Sequence, residues 1–120
     1  MRLAQNPGDL AKLVESGDLR RLARTLARYD VVQLGAQLDN LEPHAQELVL
    51  QHLPVERRAA ALAGMRYEVA AQLIGRLAPE EAAGLLDNLE SDDAADILGR
   101  IDEAKLRQIL ARFDAADAHA

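Results

Sequence analysis

Residues 74–101 read IGRLAPEEAAGLLDNLESDDAADILGRI, and the large aliphatic residues in this stretch recur at a fixed interval. Ile74, Leu86 and Leu98 stand twelve residues apart, as do Leu77, Leu89 and Ile101. Followed outward, the first series runs Leu26, Leu38, Leu50, Leu62, Ile74, Leu86, Leu98, Leu110. The second runs Tyr29, Leu41, Leu53, Met65, Leu77, Leu89, Ile101, Phe113. A third passes through Val49, Ala61, Leu73, Leu85, Ile97 and Ile109, and a fourth, Ala59, Ala71, Ala83, Ala95, is small throughout. Within one repeat the apolar offsets are i, i+1 and i+4, one stripe of a 3.6-residue helix.

The punctuation keeps the same interval. Pro43, Pro79 and the pair Ser91-Asp92 open repeats, as expected of Pro at a first helical position and of Ser or Asp as an N-cap. Each repeat is then a helix of about nine residues and a turn of about three, too short to be stable alone in water. Such helices must bury their stripes against one another, which is the logic of an α-solenoid. The spacing predicts helices near 7–15, 18–28, 31–40, 43–52, 55–64, 67–76, 79–88, 91–100 and 103–112. Ser16-Gly17-Asp18 reads as a stop followed by a new N-cap. The expectation is one all-α domain over 1–113, with a frayed tail over 114–120.

Composition agrees. Of 120 residues, 23 are Ala and 21 Leu, both strong helix formers, and only two Tyr and one Phe are aromatic. With no Cys, thiolate catalysis, disulfides and zinc-thiolate sites are excluded. No apolar run approaches the roughly 20 residues of a membrane span, and Met1 to Asp9 has no apolar leader core. A cytoplasmic location is the expectation.

The net charge of −6 is uneven. Residues 1–76 hold ten basic and nine acidic side chains, a net of +1; residues 77–120 hold four and eleven, a net of −7. An acidic surface poor in aromatic rings repels phosphate backbones and offers no stacking platform, so nucleic acid is not an expected partner. A cation or a basic protein surface fits better.

Within the acidic part, Asp92 and Asp96 lie four apart and share one helix face, opposite Ala94, Ile97, Leu98 and Ile101. Two exposed carboxylates roughly 6 Å apart can ligate a hard cation such as Mg²⁺, which keeps most of its waters. Acidic residues in a first helical turn also follow from capping and the helix dipole alone. Arg20, Arg24 and Arg28 form a basic strip, either a docking surface for an acidic partner or lipid, or a solvated face with Asp18 and Asp30 for pairing. His44 and His52 have no metal-ligand spacing, and Ser16, Thr25 and Ser91 lie in no nucleophile motif. Nothing here reads as an enzyme.

The phrase Leu77 to Leu89, running into Asp92-Asp93-Ala94-Ala95-Asp96-Ile97-Leu98, resembles the intracellular N-terminal domain of MgtE-type magnesium transporters. Val14 to Leu22 and Tyr29 to Leu34 resemble its opening helices. The resemblance implies a cytosolic, right-handed superhelix, armadillo-like, ahead of paired CBS modules and a transmembrane pore. It implies that Mg²⁺ bound between this domain and the CBS modules closes the pore, and it assigns the metal role to Asp92 and Asp96. A further carboxylate offered by some members falls where this chain has Ala59-Ala60-Ala61. A similar helical repeat occurs in the armadillo segments of the flagellar motor switch protein, so the alternative expectation is a free-standing protein–protein scaffold.

Overall fold

Two aspartates set the starts of the second and third helices. The Asp18 carboxylate accepts the backbone N–H of Arg21 at 3.0 Å, and that of Asp30 accepts Val32 N–H at 3.0 Å. Each satisfies one of the donors that a helix N-terminus leaves open. Just before Asp18, Gly17 has φ of +74°, a left-handed conformation that ends the preceding helix. In the computed structural model residues 7–118 are described, with side chains over 10–113.

The described residues form nine helices and no strand: α1 (Pro7–Glu15), α2 (Leu19–Leu26), α3 (Val31–Leu38), α4 (Pro43–Gln51), α5 (Val55–Ala63), α6 (Tyr67–Arg76), α7 (Pro79–Asp87), α8 (Ser91–Leu98) and α9 (Glu103–Ala118). Pro43 and Pro79 open α4 and α7, and Pro54 is the N-cap of α5. Helix starts fall within a residue of expectation, while α2 to α5, α7 and α8 end one or two residues early. The N-cap of α8 is Glu90, without a side-chain bond, and Ser91 is already helical. The last helix runs to Ala118 rather than ending near 112, because Ala115, Ala116 and Ala118 offer it no stop signal. His119 and Ala120 lie outside the described residues.

The chain divides into two compact units, Met1–Arg66 and Tyr67–Ala120. In the first, α1 packs on α2 and α4, and α3 packs on α5. In the second, α6 packs on α8 and α7 on α9. Most of these partners are two helices apart, so the apolar stripes that meet lie two repeats apart in sequence. Leu26, Leu38, Leu50, Leu62, Ile74 and Leu86 are all buried, as the twelve-residue series requires. The series then fails: Leu98 is only half-buried, Leu110 is 43% exposed, and Ala95 of the small series is exposed. In α8 and α9 the buried positions shift to the third series, Ile97 and Ile109, both 0% exposed.

Backbone N–H groups from the following turn reach Leu26 O and Leu38 O, and carbonyls at or just past several helix ends take a further donor. Long side chains supply it. Arg57 of α5 donates from Nη1 to Leu26 O at 2.8 Å and from Nη2 to Tyr29 O, closing α2. Gln46 of α4, buried, donates to Leu38 O at 2.7 Å at the end of α3. Arg58 Nε donates to Leu53 O at 2.7 Å, just past α4, and Lys105 Nζ donates to Leu77 O at 2.6 Å, just past α6. A positive group there also meets the negative end of the helix dipole.

Candidate functional site

The acidic face of α8 starts at its N-terminus, where Asp92 and Asp93 occupy the first turn and the helix dipole favours negative charge. Asp92 and Asp96 are both exposed, as expected of a face turned from the buried Ile97. Asp93 points elsewhere. Its Oδ1 accepts the Tyr67 hydroxyl of α6 at 2.9 Å, and its side chain is half-buried. That bond occupies Asp93 and separates it from the other two carboxylates.

Asp96 has a partner that sequence spacing did not single out. Arg100 Nη1 lies 3.8 Å from Asp96 Oδ1 and donates to the Asp96 backbone oxygen at 2.7 Å. The same guanidinium stands 5.5 Å from the centroid of the Tyr67 ring. Asp93, Tyr67, Arg100 and Asp96 therefore form one continuous polar chain along α8 and the start of α6. The Asp96–Arg100 spacing of i, i+4 was visible in the sequence; the ring of Tyr67, 33 positions before Arg100, was not. Among the described residues, no three His, Asp or Glu side chains gather into a metal-holding group. Asp92 and Asp96 are thus two exposed carboxylates with no third His, Asp or Glu side chain gathered with them among the described residues.

The Tyr67 hydroxyl is held above its ordinary pKa of 10.0, first by its hydrogen bond to Asp93 and then by the negative charge of that carboxylate. Burial and Asp96 push the same way, while Arg100 pulls it down. A phenol raised in the folded state contributes stability that is complete below pH 10 and fades as pH climbs through the raised value. Asp93→Ala removes the leading causes, so Tyr67 should titrate lower, nearer pH 10. A spectrophotometric titration of phenolate absorbance checks this, and an unchanged titration would show the bond to be idle.

The remaining charged and His groups make their contacts elsewhere. Arg20, Arg21, Arg24 and Arg28 are exposed, but Asp18 and Asp30 are engaged in capping and do not pair with them. His44 is exposed, and His52 Nδ1 lies 2.8 Å from Leu48 O within its own helix. Glu80 pairs with Arg112 at 3.0 Å. Arg57 and Arg58 make the contacts at helix ends described above.

A short-helix α domain with an acidic face on one helix is the class these features define. No described helix is long and apolar enough to cross a membrane. Residues 29–120 match the family model of the MgtE intracellular N domain, and the chain belongs to that family. The match begins at Tyr29, so the likeness over Val14 to Leu22 lies outside it. The family is a transport-associated one and not a catalytic one. No curated protein and no solved structure matches the chain.

Proposed function

We propose that this domain is a cytosolic magnesium-responsive regulator of a magnesium transporter, closing the pore through magnesium-dependent association with CBS modules. The observation that carries this reading is the family match over 29–120. Exposed Asp92 and Asp96 on one face of α8 support it, as the positions suited to a hydrated divalent cation. The engagement of Asp93 by Tyr67 supports leaving Asp93 out of the ligand set. In the same reading the short helices wind as a right-handed, armadillo-like solenoid, which the packing of helices two apart favours within each unit.

Two solvated carboxylates bind Mg²⁺ weakly, because the ion gives up its waters reluctantly. The chain alone should therefore bind with roughly millimolar affinity. An acidic CBS surface closing over α8 would bring like charges together, and the cation offsets their repulsion. Association then depends on magnesium and magnesium affinity on association, by linkage. The test is calorimetric titration of Mg²⁺ into the chain alone, into the chain with the CBS pair, and into both after Asp92→Ala and Asp96→Ala. Tightening by the CBS pair that disappears in the double variant is the expected result. Equal affinity in parent and double variant would reduce these aspartates to decoration of a helix start.

A further inference from the structure

We propose that Arg100 is a tethered rival of the divalent cation at Asp96 and sets the concentration at which magnesium can occupy the α8 face. The inference rests on the magnesium reading above and adds to it a residue that reading does not contain. Arg100 lies just beyond α8, whose C-cap is Gly99, and its side chain folds back one turn. Three contacts hold it there: the Asp96 backbone oxygen at 2.7 Å, the Asp96 carboxylate at 3.8 Å, and the face of Tyr67 at 5.5 Å from its centroid. Tyr67 is itself fixed by its bond to Asp93. The guanidinium is therefore positioned by the framework rather than by Asp96 alone. A cation already rests against one of the two candidate ligands, while Asp92 has no ion pair among the described residues.

The consequence is competitive. A divalent ion reaching Asp96 must share the carboxylate with a like charge at contact range or displace it from the tyrosine ring. Both Asp96 and Arg100 are substantially exposed, with side chains 51% and 42% accessible, so their mutual attraction is modest and reversible.

The test is Mg²⁺ titration of the 120-residue chain at constant ionic strength, followed by NMR at the α8 amides and the Tyr67 ring. Arg100→Gln should lower the magnesium midpoint roughly three- to tenfold, the effect of removing one nearby positive charge under screening. Arg100→Lys should stay near the parent, and Tyr67→Leu, which keeps the charge but frees it, should fall between. In the parent the Tyr67 ring signals should move as magnesium displaces the guanidinium, and in Arg100→Gln they should not. A parent that responds through Asp92 and Asp96 with the same midpoint as Arg100→Gln overturns the inference and leaves the magnesium reading standing. A parent with no response that depends on those aspartates overturns both.

Discussion

Leu62→Ala and Leu86→Ala should each destabilise the protein by about 2–5 kcal/mol, the usual loss on emptying a buried leucine site. Leu62 is 0% and Leu86 3% exposed, one in each compact unit. Against a total stability of about 5–15 kcal/mol for an ordinary domain, either loss is large. Urea unfolding followed by helical circular dichroism measures it, and near-neutral values would remove both residues from the core. The pair also tests whether the chain unfolds as one domain. In a single cooperative unit both variants shift the same transition; in two, each shifts only its own.

Gly35→Ala should also destabilise, by less and for the opposite physical reason. A Cβ at Gly35 would run into the Ala61 carbonyl and come within 2.8 Å of Gly64 Cα, all on backbone that cannot swing aside. Alanine favours a helix interior by about 1 kcal/mol over glycine. Forcing α3 and α5 apart costs about 1–3 kcal/mol or more and outweighs that gain. Gly84 is the internal control: it sits in α7 with nothing within 4 Å of an added Cβ. Gly84→Ala should stabilise by about 0.5–1 kcal/mol through propensity and a less flexible unfolded chain. Opposite signs for the two substitutions are the expected outcome, and equal signs would mean that α3 and α5 do not touch through glycine.

The contrast shows what local pattern can and cannot carry. Helix starts were legible because Asp18, Pro43 and Pro79 act on neighbours within three or four residues, while Asp30, read as a partner for the basic strip, proved to be a cap. Helix ends overran by one or two residues in several cases, since Ala27, Asp39 and His52 are C-caps without a glycine to mark them. The tight approach at Gly35 was hidden because its cause lies in α5, not in α3. The twelve-residue series identified the core through Leu86 and then misassigned Leu98, Leu110 and Ala95. Periodicity records which face can be buried; whether it is buried depends on what packs there. At the candidate site, the shared face of Asp92 and Asp96 was readable from their spacing. The roles of Tyr67 and Arg100 were not, because a ring and a guanidinium meet there across a turn and a helix.

The borrowed helix ends bear on the order of events at the ribosome. The donor that closes α2 lies 28 and 31 residues beyond the carbonyls it serves, and Lys105 lies 28 beyond Leu77. At a synthesis rate of about 5–20 residues per second, each such end waits roughly one and a half to six seconds for its partner to be made. A nascent chain stopped before residue 57 has the local backbone bonds that end α2 but lacks the guanidinium that Leu26 O and Tyr29 O share in the finished protein. These contacts are thus timed by translation of a later helix, and slow or fast codons near 57 and 105 would lengthen or shorten that wait.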